Sequence, residues 1–130
     1  MDSCLDSSKT CALVVGINAY EHLTPLTNCV EDAAEVEKGL RKVGVKRVTS
    51  ASDCNHEQLT NKTNEFLSQL REGDVALAYF ATHAAMYRNQ NVVLTTESTE
   101  ANMAETSLPV QLLLTRFVLR HVARTRAHVT

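Results

Sequence analysis

Apolar positions change period several times along this chain, and each change predicts an element. Cys11-Ala-Leu-Val-Val-Gly-Ile17 is a continuous apolar run rich in branched residues, the pattern of a strand buried on both faces. Asn28 stands three residues before Glu31, which predicts a helix N-cap whose acid reaches back to the cap amide. Val30, Ala33, Val36, Leu40 and Val43 then recur at helical spacing, and Gly44 is placed to close the helix in the left-handed conformation. Val45 to Ala51 reads as a weaker second strand. Asn55 with Gln58 repeats the cap signature before Leu59, Thr63, Phe66, Leu67 and Leu70, with the helix expected to end near Glu72-Gly73. Asp74 to Thr82 is the third and clearest strand. Val92-Val-Leu94 reads as a short strand and Thr95 to Ser107 as a polar loop. Pro109 is expected to open a last helix, lined on its inner side by Val110, Leu113, Leu114, Phe117, Val118 and His121.

Strand, helix, strand, helix, strand and a final helix is the order of an α/β fold with a mostly parallel sheet, because parallel neighbours need crossover connections. Functional residues in such sheets gather at the carboxyl ends of strands. Here those ends are Asn18-Ala19-Tyr20 and Thr82-His83-Ala84. The 130 residues suit one domain, and 44% hydrophobic with 22% charged residues is the composition of a folded chain, not a disordered one. A net charge of −2 gives no reason to expect a nucleic acid or other polyanion as partner. Residues 1–8 are acidic and polar where a secretory leader would be basic and then apolar, and no run is long enough to span a membrane. A short N-terminal tail, a domain over residues 9–130 and a cytoplasmic location are the expectation. Cys4, Cys11, Cys29 and Cys54 lie far apart without a C-x-x-C pair, so reduced thiols are expected instead of a zinc site or a disulfide framework. Asn61-Lys62-Thr63 has the form of a glycosylation acceptor but falls within the second predicted helix.

His83 is the candidate for chemistry. At the end of a buried strand its imidazole is compatible with two roles: a base taking a proton from a substrate or thiol, or a strand-end side chain hydrogen-bonded to backbone. A nucleotide-binding domain would need a glycine-rich loop after the first strand, where only Gly16 stands. A phosphoacceptor domain would need acids at the strand ends, where asparagine and histidine stand.

Three segments read together narrow the choice. Ala12-Leu-Val-Val-Gly-Ile-Asn18, Leu26-Thr-Asn-Cys-Val-Glu-Asp-Ala33 and Gly73-Asp-Val-Ala-Leu-Ala-Tyr-Phe-Ala-Thr-His83 follow the order and spacing of the caspase-like cysteine peptidases (peptidase C14). The chain resembles most their metacaspase and paracaspase branches, continuously from Lys9 to Leu94 and more loosely beyond. The resemblance implies a caspase-like three-layer sandwich corresponding to the large-subunit (p20) region. It also implies a Cys/His dyad with His83 as general base, acting on peptide or protein substrates. The family's cysteine comes about 50 residues after its histidine. No cysteine follows His83 in these residues, and Arg126-Ala-His-Val-Thr130 resembles the approach to the strand that would carry it. The expectation is an inactive cysteine endopeptidase domain, its sheet incomplete on the C-terminal side and its third strand left as an exposed edge. The alternatives are a regulatory module that pairs with an active relative through that edge, and a truncated gene product.

The family has Gly-His-Gly where this chain has Thr82-His83-Ala84, so the oxyanion donor falls to the amide of Ala84. Cys29 matches a cysteine that some metacaspases carry, and its place at a helix start is expected to lower its thiol pKa, making it a remote surrogate nucleophile. Its other reading is a small packing thiol. Asp32 matches an acid that helps bind Arg or Lys in basic-specific members. Calcium is implied for some members, but Glu97, Glu100 and Glu105 fit no calcium loop and read as a solvated segment; no cofactor is expected. Arg116, Arg120 and Arg124 are predicted on one face of the last helix, followed by Arg126, either docking an anionic surface or facing water.

Overall fold

The computed structural model describes residues 6–111 and 113, and the backbone of residues 124–129. A 3-10 turn at Ser7–Lys9 leads into β1 (Thr10–Gly16), α1 (Cys29–Lys42), β2 (Arg47–Ser52), α2 (His56–Gln69) and β3 (Val75–Ala81). The chain continues through β4 (Ala84–Tyr87), β5 (Gln90–Val93), α3 (Met103–Thr106), β6 (Leu108–Pro109) and β7 (Arg124–Val129). The main sheet has the order β2-β1-β3-β7 with every neighbour parallel, and a smaller antiparallel sheet has the order β4-β5-β6.

All seven residues of β1 are buried, as its unbroken apolar run predicts. Alternation along the strand splits the core in two. Cys11, Leu13 and Val15 pack with Leu59, Phe66 and Leu67 of α2, whereas Ala12 and Val14 pack with Ala33 and Leu40 of α1. The helices therefore cover opposite faces and give the three-layer α/β architecture. The cause is topological: β1 connects to β2 on one side and the chain then crosses to β3 on the other, and two crossovers of the same hand running in opposite directions pass over opposite faces. Among the described residues, no helix is long and apolar enough to cross a membrane.

Two local features set the layer spacing. A Cβ on Gly16 would lie 2.5 Å from the carbonyl oxygen of Cys29 and 2.8 Å from the Cβ of Ala33, so the start of α1 can sit on β1 only because this side chain is absent. At the opposite end of the sheet, the Arg47 guanidinium donates to both carboxylate oxygens of Asp74 at 2.6 and 3.0 Å, and to the carbonyls of Gln69 and Ser8. This buried pair joins β2, the lead into β3 and the first turn. Gly44 closes α1 with φ +99°, and Asn55 and Gln58 form the expected reciprocal cap of α2. That helix ends at Gln69, earlier than its sequence pattern predicts, because Asp74 accepts the Arg71 amide at 2.7 Å and turns the chain toward β3.

Several expectations are corrected. β3 is an interior strand, not an edge, because β7 pairs with it from Val75↔Arg124 to Phe80↔Val129. Arg124 and Arg126 consequently lie in a strand and not on a helix. Pro109 belongs to β6, opposite Val92, where an edge position does not need its missing donor; residues 110 and 111 are helical. Leu114, Arg116, Phe117, Val118, Arg120 and His121 lie outside the described residues, as does Cys4. The segment read as a solvated loop keeps Glu100 and Glu105 exposed, but Thr95, Thr96, Ser98, Thr106 and Ser107 are buried, because hydroxyls among them satisfy one another and the backbone. Thr95 Oγ1 donates to the Thr106 carbonyl at 2.8 Å, and Ser98 Oγ lies 2.9 Å from Thr106 Oγ1.

We predict that Gly16→Ala costs about 1–3 kcal/mol of stability in chemical denaturation, by overpacking the α1–β1 contact. A second prediction concerns acid. Burial by itself would raise the Asp74 carboxyl, but the Arg47 guanidinium and the Arg71 amide outweigh it and hold it below the usual range. A carboxyl lowered on folding contributes fully above its unfolded pKa of about 4, and the contribution is lost as pH falls through its folded value. Unfolding midpoints measured from neutral pH down into the acid range should therefore drop more steeply for the native chain than for Asp74→Asn. At neutral pH that variant should be less stable by about 3 kcal/mol.

Candidate active site

β1 and β3 end side by side, with the Ile17 amide donating to the Ala81 carbonyl at 3.1 Å, and from there the chain leaves the sheet in different directions. After β1 it passes to α1 on one face. After β3 it turns straight into the β4–β5 hairpin. The crevice at such a switch point is where parallel sheets place their ligands.

The loop after β1 is braced by side chains that replace the lost ladder. Asp53, held at φ +47°, accepts the amides of Asn18 and Ala19 on Oδ1 at 2.7 and 3.0 Å. Asn18 Oδ1 in turn accepts the amides of Cys29 and Val30 at 2.8 and 3.2 Å, while its Nδ2 donates to Glu31. Asn18 is thus the residue that caps α1. Asn28, the cap expected from spacing, makes no side-chain cap bond because the distant asparagine already occupies the free amides.

Tyr20 is buried, and its hydroxyl accepts the His83 amide at 2.9 Å and donates to the Leu94 carbonyl at 3.0 Å. Its ring meets the imidazole edge-on with centroids 4.6 Å apart. Burial drives the phenol pKa far above its ordinary value, so the hydroxyl keeps its proton and its donor role. His83 Nε2 lies 2.8 Å from the Thr24 carbonyl oxygen. A carbonyl can only accept, so Nε2 carries a proton, and in the neutral ring the lone pair is on Nδ1. The imidazole opens on a cavity of about 260 Å³, walled also by Leu23, Thr24, Ala85, Leu94, Thr99, Glu100 and Met103.

Glu100 and Met103 reach this cavity from a braced turn. Thr99 N donates to Asn102 Oδ1 at 2.6 Å, Asn102 N returns a bond to Thr99 Oγ1, and Asn102 Nδ2 donates to the Glu97 carbonyl. The three acids of this segment part company. Glu97 is half-buried and accepts the His56 amide at 2.6 Å at the start of α2, whereas Glu100 and Glu105 are both exposed, Glu100 lining the cavity as well. Among the described residues no three His, Cys, Asp or Glu side chains come together, so these acids do not fit the calcium that the resemblance implies.

The remaining candidates are dispersed. Ala84 is exposed and begins β4 directly after His83. Asp32 is exposed on the first turn of α1, away from the cavity lining. Cys29 is half-buried at the start of α1 and does not line the cavity either. Its thiol pKa is raised, first by desolvation and then by the charges of Asp32 and Glu31, and not lowered as its helix-start position predicts. Burial pushes Cys11 and Cys54 up to about 11. The described site thus joins an oriented histidine, a cavity and an adjacent backbone amide, without an activated thiol. Tyr20 sits at a strand end that the sequence marks, but its role depends on a partner 63 residues away. Thr24 acts through its carbonyl and carries no side-chain signal, and Glu100 lies in a segment whose polarity reads as solvent-facing.

A doubly covered parallel sheet with an oriented histidine at its switch point defines an α/β domain whose site lies at the strand ends. The family model for the caspase domain (peptidase C14) matches residues 9–126, and the chain belongs to that family. No curated protein matches it.

We predict that Tyr20→Phe costs about 1–3 kcal/mol, since it leaves the His83 amide and the Leu94 carbonyl without their partner. Chemical denaturation reads the loss. The backbone amide resonance of His83 in a nitrogen-edited NMR spectrum should shift as it loses its acceptor.

Proposed function

We propose that this chain is a cysteine endopeptidase domain of metacaspase or paracaspase type by descent, with His83 in the general-base position. In this reading the 130 residues bind peptide without cleaving it. The observation that supports it most is the bond from Nε2 of His83 to the Thr24 carbonyl, which leaves Nδ1 free to take a proton at the cavity. The base half of the machinery has a clear chemical task. A thiol at Nδ1 would lose its proton to the imidazole as sulfur bonds to the peptide carbonyl carbon; the Ala84 amide would donate to the resulting oxyanion; and the imidazolium would return the proton to the leaving amine. The described cysteines do not supply that thiol. Cys29 is the nearest by family analogy, but its raised pKa keeps it protonated and it is not on the cavity wall. Asp32 is proposed as the acid that favours a basic substrate residue, with Glu100 a second carboxylate beside His83.

A regulatory role is the second reading, favoured by the open cavity beside an oriented histidine. A site that holds a peptide and lacks a nucleophile competes for substrate or docks on an active relative. The test is hydrolysis of fluorogenic Arg- and Lys-terminated peptides, with and without calcium, by the native chain, His83→Ala and Cys29→Ser. No turnover is expected from any of the three. Turnover by the native chain that disappears in both variants would overturn the inactive reading and make Cys29 the nucleophile.

A further inference from the structure

The hairpin that follows His83 carries a feature that the base chemistry does not use. Arg88 and Asn89, with φ of +50° and +63°, form the two-residue turn between β4 and β5, so the flanking pair Tyr87↔Gln90 exchanges hydrogen bonds. Antiparallel pairs alternate, so Ala85 bonds to Val92 in the same way, and the Leu94 amide donates to the His83 carbonyl at 3.0 Å, in phase with that pattern. The amides and carbonyls of Ala84 and Met86 therefore point away from β5. Among the described residues no strand pairs with that side of β4. Met86 is 66% exposed and Ala84 is exposed, whereas Ala85 and Tyr87 pack against the core. The edge carries no proline, lysine or acid of the kind that usually blunts an open strand.

We infer that the outer edge of β4 binds an extended peptide as an added antiparallel strand, bonded to the main chain of Ala84 and Met86, with the side chain opposite Ala85 entering the cavity beside His83. Paired residues in a sheet project to the same face, and Ala85 projects to the cavity, so the residue opposite it does too. Leu23, Leu94 and Met103 on the wall favour an aliphatic side chain there, and Glu100 disfavours an acid. The family's action on proteins makes an extended chain the natural occupant. A second copy of this chain fits less well. Four residues span only about 14 Å, which is far too little contact for the roughly 1,200 Å² that a stable protein interface needs. The inference rests on reading the surroundings of His83 as a peptide site.

The test is fluorescence polarisation of labelled, capped pentapeptides Val-Thr-X-Thr-Val with the whole chain, X being Leu or Asp, followed by N-methylation of each position. The Leu peptide should bind better than the Asp peptide. N-methylation of either residue flanking X should weaken binding about tenfold, while N-methylation of X itself should not. Met86→Pro removes only an outward donor and leaves the β4–β5 ladder intact, so it should weaken binding about tenfold, whereas Met86→Ala keeps the donor and most of the affinity. Binding without this alternation overturns the added-strand mode and leaves the reading of His83 standing. Absence of binding by either peptide overturns the inference, and so does sedimentation showing a dimer that Met86→Pro dissolves. Turnover in the fluorogenic assay bears on the proposed function alone.

Discussion

The hydroxyl of Tyr20 is the joint on which the site depends. Where β3 ends, the His83 amide leaves the main sheet, and where β5 ends, the Leu94 carbonyl leaves the small one; a single buried phenol meets both. Backbone groups out of water must find partners, so the position of His83 is set by main-chain bonding before its ring makes any contact. The ring is then fixed from two further sides, by the edge-on contact with Tyr20 and by the Thr24 carbonyl. The orientation of this histidine is a by-product of how two sheets are joined.

The same economy runs through the loop after β1. Asp53 reaches from the end of β2 to hold Asn18 and Ala19, and Asn18 reaches on to cap α1. Gly16 lets that helix approach closely enough to be capped from there. Three residues from two strand ends thus place the segment that carries both Tyr20 and Thr24. At the far end of the sheet the Arg47–Asp74 pair performs the corresponding task, tying strand beginnings together while remaining remote from the chemistry.

The resemblance to caspase-domain peptidases agrees with the family match over residues 9–126. Within that family this chain presents an oriented histidine without an activated thiol in the described site. Cys29 is instructive. A helix N-terminus favours a thiolate in isolation, but desolvation and then the two acids on the same turn act in the opposite direction and prevail.

The chain's local patterns determined the elements of the main sheet. An unbroken apolar run means a strand covered on both sides, a capping box means a helix start, and the position of His83 after such a run puts it at a strand end. These are short-range relations, readable because periodicity and capping act within a few residues. Tertiary structure decided what long-range contacts control. Asn18 capped α1 in place of Asn28, β7 covered β3, Pro109 joined an edge strand, and a serine- and threonine-rich segment folded inward to wall the cavity with Glu100. In the first three cases a partner distant in sequence satisfied a polar group or an open edge that the local pattern leaves unassigned, and in the last the hydroxyls found partners within their own segment. The tautomer of His83 belongs to this second class, because it depends on a backbone carbonyl 59 residues away.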